Sequence, residues 1–360
     1  MTIRVAIAGV GNCASALVQG THFYRDDNPH NSGVGLANPT LGGYRCADIE
    51  FAAAFDVDAR KVGKPLTEAI FASPNCAARF ATNIPDDGVI VQMGPELDGI
   101  AEHMRGAVDG DAFCVSDEPP VALEEALAAS GADVLVCYMP VGSTRAAERY
   151  AEACINAGVA MVNCMPVPIA SCHDWAARFR DARLPIVGDD IKSQVGATIV
   201  HRVLAALMED RGVKLERTYQ LNTGGNTDFL NMLDRSRLEH KRRSKTGAVQ
   251  AQLATPLADR DVHIGPSDFV PWLDDRKLAF IRLEGSGFGE QAVEMEIRLS
   301  VEDSPNSAGV AIDAIRCAKV GLDRGWIGPI EPACALYMKS PPVQHREDEA
   351  TRDLKQLLDG

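Results

Sequence analysis

Nowhere does the sequence reach the roughly 18 consecutive apolar residues that a membrane-crossing helix needs. Its first residues, MTIRVAIAGVGN, lead straight into a strand pattern rather than a signal peptide. No membrane partner is expected, and the reading is cytoplasmic. Positive charge is scarce too: 36 Lys and Arg stand against 50 Asp and Glu, a formal net charge of −14, which repels a phosphate backbone at long range. No nucleic acid partner is expected, and a phosphorylated small molecule would need a local basic pocket. The C-x-x-C spacing is missing among the ten cysteines, and several of them, such as Cys137 in DVLVCYM, lie in apolar runs. They read as reduced core residues rather than disulfides or a zinc knuckle, so no metal site is expected. Internal repeats and low-complexity tracts are absent.

What is present suits a globular fold. A chain of 360 residues has a prior of two domains at about 150 residues each, and 46% apolar with 24% charged residues argues against disorder or coiled coil. The first 190 residues alternate short β-branched runs with alanine-rich helical stretches. Strands are read near Ile3 to Ala8, Glu50 to Asp56, Val89 to Gln92, Asp133 to Tyr138, Val159 to Asn163 and Pro185 to Val187. That alternation predicts an α/β, doubly wound parallel sheet covered by helices. The stretch from Arg25 to Gly43, rich in Asn, Gly and Pro, reads as a long surface loop.

From Ser193 a helical period places Val195, Ile199, Val203, Leu204 and Leu207 on one face, with Ser193 as the N-cap and Gly212 as the stop. After it come a polar turn (Asn222 to Asp228), a basic stretch (Arg235 to Lys245) and two strands, Leu278 to Leu283 and Ala292 to Val301. In the second strand Val293, Met295, Ile297, Leu299 and Val301 alternate with polar residues, as in an antiparallel sheet with one wet face. A second, α+β domain is implied. Asn306 to Arg324 is again helical, and the tail from Pro332 is too short to stand alone, so it should pack back on the first domain.

Three segments carry chemistry. IRVAIAGVGNCASALVQG is a strand, a glycine turn and a helix, with Gly9 and Gly11 followed by Ala14 in the GxGxxG/A pattern; such a turn brings backbone close to a pyrophosphate at a helix N-terminus. Asp56 ends the second strand, where an acidic residue meets the ribose hydroxyls of NAD. Its long separation from Gly9 is taken up by the Arg25 to Gly43 loop. PIVGDDIKSQVGAT offers a second anion site at the start of a helix. NTGGNTDFLNMLDRSRLEHKRRSK concentrates cations from Arg235 to Lys245, either as a solvated helix face or as a phosphate or oxyanion pocket.

The segments GVGNCASALVQG, VGDDIKSQVGAT, LNTGGNTDFLNML, HIGPSD, WLDDRK, DSPNSAG and YMKSPP resemble the myo-inositol-1-phosphate synthase family, in its short actinobacterial form. The resemblance runs from Arg4 to about Pro342. It implies a homotetramer whose subunits have a Rossmann-like NAD-binding domain built from both chain ends, residues 1–195 and 303–360. An inserted α+β domain, residues 196–302, would supply the catalytic and tetramerisation surfaces. It also implies a redox-neutral cyclisation of a hexose 6-phosphate. NAD oxidises C5 of glucose 6-phosphate, the C6 enolate closes on C1, and the hydride returns. By the same resemblance Lys241, Lys245, Lys277 and Lys339 match family active-site lysines, Asp190, Asp228, Asp275 and Asp303 their acidic partners, and Ser193 the phosphate cradle. Gly9, Gly11, Asn12, Asp56, Ser193, Asp228 and Lys241 are then the cofactor contacts. A lysine among cations in a closed pocket has a lowered pKa, so more of it is the free amine that can accept a proton.

Met93, Pro168, Thr227 and Leu278 stand where the family's housekeeping form carries arginine, phenylalanine, methionine and tryptophan, and the Arg25 to Tyr44 loop lacks the usual motif. The alternative this leaves open is a specialised relative that closes a five-membered cyclitol phosphate from fructose 6-phosphate. A non-catalytic NAD-binding sensor, which needs no lysine cluster, and a plain dehydrogenase are the readings from other classes.

Overall fold

The computed structural model describes residues 1–25, 32–81, 83–105 and 112–360; the side chains of 238–243, 266 and 267 lie outside the description. The β-branched runs of the first half form a parallel sheet of seven strands. Their order across the sheet is Gly328–Pro329, Pro185–Gly188, Ala160–Asn163, Val134–Cys137, Ile3–Ala8, Ile49–Asp56 and Val91–Met93. Strand order reverses beside Ile3–Ala8, which is a doubly wound, Rossmann-like arrangement with its crevice at the carboxyl ends of Ile3–Ala8 and Val134–Cys137. Both faces are covered by helices, so the central strands read as continuous apolar runs, and Val134 to Cys137 and Ala160 to Val162 have no exposure at all.

The second sheet has four strands, ordered Val262–Phe269, Lys214–Gly224, Arg276–Ser286 and Ala292–Glu302. The last two pair antiparallel, and every second side chain of Ala292–Glu302 is solvent-exposed. Two strands were not foreseen. Asn222 to Gly224, read as part of a turn, completes Lys214–Gly224, and Val262–Phe269 runs parallel to that strand.

The helix after Ser193 needs two corrections. It starts at Ala197, and its N-cap is Gly196, with no side-chain cap; Ser193 sits a turn earlier because Asn306 draws Gln194 and Val195 into hydrogen bonds with the next helix. Its buried face is also not the apolar one. Val195, Val203 and Leu207 are about half exposed, while His201 and Arg202 are fully buried. Gly212, at φ +71°, does stop the helix, and Val213 N–H donates to Met208 O.

The long helix Asp303–Arg324 returns to pack on Asn12–Phe23 and on the sheet. The tail after Tyr337 pairs with the loop that leaves Pro185–Gly188: Lys339 N–H donates to Asp190 O, and Ser340 and Asp189 exchange two backbone bonds. Helix Glu347–Asp359 ends the chain. Of the Arg25 to Gly43 loop, residues 26–31 lie outside the described residues, and Thr40–Leu41 forms a small hairpin with Tyr44–Arg45.

Candidate active site

Where the two sheets meet there is one cavity, with a wall from each part of the chain. On the first wall is the glycine turn. Gly9 has φ +95°, and a Cβ there would sit 2.6 Å from Tyr138 O, so only glycine fits. Gly11 is the opposite case: a Cβ would meet nothing within 4 Å. Space is open above it, next to the first turn of helix Asn12–Phe23, which no side chain caps. Uncapped N–H groups, a glycine without a neighbour and Cys13 on the cavity wall together form a cradle able to accept an anion.

The turn is held from behind. Asp56, 8% exposed, accepts Val10 N–H on one carboxylate oxygen and the N–H groups of Val57 and Asp58 on the other. Lys61, without any exposure, donates to Val10 O and to Asn75 Oδ1. Asn12 does not point its amide at open space; its Oδ1 accepts Cys76 and Ala77 N–H. Gly9 and Asp56 therefore shape the turn from outside the cavity, while Gly11, Asn12 and Asn75 line it.

The facing wall carries the lysines. Lys339 Nζ donates to Asp190 Oδ1 at 2.9 Å and to Ile191 O at 2.5 Å, and the other oxygen of Asp190 accepts Ser244 O–H at 2.6 Å. Lys277 pairs with Asp303 at 3.0 Å and lies 5.9 Å from the centre of the Phe229 ring. Lys245, 6% exposed, and Asp228 complete this wall. Lys241 is one turn before Lys245 on helix Glu239–Gln250; its side chain lies outside the described residues.

Asp275 is not on the wall but behind it. Its carboxylate accepts Asn226 Nδ2–H, Ser304 O–H and Ser304 N–H. Burial, with the nearby Asp303 charge adding, pushes it up to about 6. Burial and the charges of Asp303, Asp275 and Asp228 likewise push the Cys13 thiol up to about 12, which makes it inert as a nucleophile. The acidic cluster thus reaches the start of helix Asn12–Phe23.

Ser193 lines the cavity together with Gly196, Ala197 and Thr198 at the uncapped start of helix Ala197–Asp210. A second anion cradle is built there, from backbone N–H rather than from a serine cap.

Sequence reasoning overlooked Asn226, Ser304 and Ser244. Asn226 caps helix Thr227–Asn231 by accepting Asp228 and Phe229 N–H, and an Asn just before a short helical run is a readable N-cap signal. The other two had no signal of their own. Of the four positions that depart from the family pattern, Thr227 is on the cavity wall; Met93 is buried in a strand and Pro168 is exposed.

Known proteins bear on this geometry. The sequence profile described as myo-inositol-1-phosphate synthase matches residues 196–304. The inositol-3-phosphate synthase of Mycolicibacterium smegmatis is 56% identical over 99% of this chain and 98% of its own length. That of Mycobacterium tuberculosis is 55% identical over 99% and 96%. Among solved structures, Ari2 is 34% identical with a TM-score of 0.78, each chain covered in full. A myo-inositol-1-phosphate synthase-related protein from Thermotoga maritima shares the fold at TM-score 0.80 and 24% identity, over 100% of this chain and 99% of its own. Matched over nearly its whole length at such identity, the chain belongs to the inositol-3-phosphate synthase family.

Proposed function

We propose that this protein cyclises glucose 6-phosphate to an inositol phosphate, using NAD as a cofactor that is oxidant and reductant within one turnover. The observation that carries the reading is the meeting of Lys245, Lys277 and Lys339 with Asp190, Asp228 and Asp303 on a cavity that also receives a glycine turn. A sensor would need the turn alone. A five-membered product from fructose 6-phosphate is not favoured, since the 54–56% identical relatives over 99% of the chain are named inositol-3-phosphate synthase.

The open space over Gly11 and the uncapped turn at Asn12 suit NAD. Gly11 and Asn75 would flank the cofactor, with Asp56 and Lys61 holding the turn in shape. When bound, NAD supplies a hydride acceptor at C5 and returns the hydride after ring closure.

The rest is done by the chain's own residues. Lys339, already hydrogen-bonded to Asp190, passes a proton to that carboxylate and, as the free amine, takes up the proton of the C5 hydroxyl. Lys241 moves the C6 proton. Lys245 and Lys277 place positive charge against the phosphate and against the C1 or C5 oxygen that becomes anionic as C6 attacks C1. The uncapped turn at Ala197 binds the phosphate and keeps it off the reacting carbons.

The reading extends to organisation. Residues 1–195 with 303–360 act as the NAD-binding part and 196–302 as the catalytic part. Four copies would assemble through the outer face of the four-stranded sheet, where Leu221 is 41% and Phe280 39% exposed. Among the described residues no helix is long and apolar enough to cross a membrane.

The test is to incubate the protein with 13C-labelled glucose 6-phosphate and sub-stoichiometric NAD. An inositol phosphate should appear by NMR with no net absorbance change at about 340 nm. NADH formed in step with substrate loss would replace this reading with a dehydrogenase.

A further inference from the structure

Two of the cavity's lysines arrive from distant parts of the chain. Lys245 rides on helix Glu239–Gln250, and Lys339 comes on the returning tail. The Asp190 carboxylate joins the two segments, taking Ser244 O–H from the helix and Lys339 Nζ from the tail. Behind that contact is a second, buried layer that none of the reaction steps above uses.

Its centre is Arg202, with no exposed surface. One terminal nitrogen donates to Ala248 O, near the end of the Lys245 helix, at 2.9 Å, and to Gln344 Oε1 at 3.0 Å. The other donates to His345 O at 2.8 Å. Gln344 in turn donates its Nε2–H to Lys339 O at 2.7 Å. A continuous chain of polar contacts therefore runs from the Lys245 helix through Arg202 and Gln344 to the backbone of Lys339.

The guanidinium is anchored at Glu347, whose Oε1 lies 2.9 Å from Arg202 Nε and 2.7 Å from Lys192 Nζ. Lys192 also donates to Ala335 O, and its own N–H donates to Tyr337 O. It follows Asp190 and Ile191 and precedes Ser193, so the cluster grips both the Asp190 loop and the tail. Two buried cations share one carboxylate here, and burial with the Arg202 charge lowers Lys192 to about 8. Such an arrangement is costly to bury and easily replaced by apolar packing if stability alone were at stake. A planar guanidinium, which satisfies several acceptors in fixed directions, suits the joining of separate segments; a lysine does not.

We propose that Arg202, anchored by Glu347 and Lys192 and linked to Lys339 through Gln344, is a positioning residue that sets the placement of Lys245 relative to Lys339 across the cavity. It lines no part of the cavity and touches no reacting atom. Its effect is on geometry: a displacement of about 1 Å at a reacting group costs on the order of a hundredfold in rate. The role rests on the cyclisation reading above.

The experiment compares Arg202→Met, Arg202→Lys and Gln344→Leu with wild type. Arg346→Ala serves as control, since Arg346 makes a surface pair with Asp210 from the same tail. For the first three, kcat should fall about tenfold or more while KM for glucose 6-phosphate stays within about threefold, because alignment and not affinity is lost. Gln344→Leu matters most, because it keeps Arg202 and cuts only the link to Lys339. A second readout needs no turnover: the rate of reductive methylation of each lysine, followed by mass spectrometry. Lys339 should react severalfold faster in the three variants, Lys277 unchanged, and the control like wild type. Should wild type form no cyclised product, the cyclisation reading fails, and the methylation rates alone decide the positioning role. An unchanged Lys339 rate, or a kcat loss that only tracks the fall in melting temperature across all four variants, would overturn the proposal.

Discussion

Replacing Lys339 by methionine tests the site most directly. The aliphatic stem is kept, and the ammonium with its bonds to Asp190 and Ile191 O is removed. Breaking a buried ion pair by deleting one partner costs about 3–5 kcal/mol. Here Asp190 keeps the Ser244 hydroxyl, and the Lys339 side chain is 14% exposed, so about 2–3 kcal/mol is expected. With an unfolding entropy of roughly 2.1 cal/mol/K per residue, that lowers Tm by only about 3–4 °C. The variant should be folded and should retain NAD. Activity should drop by about 10²–10⁴, the usual value of a positioned proton-transfer group. The step that fails can be seen. With excess enzyme-bound NAD, wild type should give a transient rise at about 340 nm on mixing with glucose 6-phosphate, and Lys339→Met none, because the C5 hydroxyl keeps its proton. Lys241→Met, by contrast, should accumulate that absorbance as a single-turnover burst. A folded Lys339→Met protein that cyclises its substrate at a rate close to wild type would refute the assignment and leave the tail a purely structural element.

Gly11→Ala should leave melting unchanged but weaken NAD binding about tenfold or more, since the new methyl fills the open cradle; Gly9→Ala, meeting Tyr138 O at 2.6 Å, should yield little folded protein. Equal effects in calorimetric titration and thermal scans would disprove that division. Asp275, pushed up to about 6 by burial, binds a proton in the folded state between about pH 4 and pH 6 that the unfolded chain has lost. Its contribution to stability therefore falls as pH rises through that window, and the deficit of Asp275→Asn against wild type in urea melts should shrink from about pH 4.5 to about pH 7. A deficit that stays constant or grows would contradict this. Asn226→Ala removes the cap of helix Thr227–Asn231 and leaves Asp275 one donor short, so a loss of about 1–2 kcal/mol is expected, together with a higher KM for glucose 6-phosphate. An unchanged KM would mean that this helix does not shape the substrate site.

The misread faces of the helix after Ser193 and of the strand it packs on have one physical cause. In Lys214–Gly224 three of the inward residues, Thr218, Gln220 and Asn222, are polar and each no more than 5% exposed, while Leu221 faces outward. The opposing helix mirrors this, burying His201 and Arg202 and exposing Val203 and Leu207. His201 Nε2 lies 2.7 Å from Thr218 Oγ1 and Nδ1 lies 3.3 Å from Gln220 Oε1, and burial lowers its pKa to about 4, which keeps the ring neutral. Hydrophobic periodicity assumes an apolar interior, so a helix and a strand that share a polar interior both read inside out. The first sheet was legible because its interior is apolar and because Gly9 permits only one residue type. Lys277 and Lys339, unlike the lysines of the basic stretch, were legible by resemblance alone: nothing in their local pattern marks them, and their meeting depends on the tail's pairing with the Asp190 loop.

That pairing also explains how so acidic a chain can hold a sugar phosphate. With a net charge of −14, the long-range field repels the substrate, and attraction must come from groups close enough to outweigh it. Lys277 and Lys339 are each held against a carboxylate, Asp303 and Asp190, so their charges are largely balanced. Local positive potential comes instead from the two uncapped helix starts at Asn12 and Ala197 and from the buried excess of one cation in the cluster of Lys192, Arg202 and Glu347. Backbone dipoles and a buried cation keep their charge whatever protons move during the cycle, which leaves the lysines free to exchange protons while the phosphate stays bound. On the proposed reading, main-chain dipoles at the helix ends supplement Lys245 and Lys277 in holding the phosphate, while the proton transfers fall to Lys339 and Lys241.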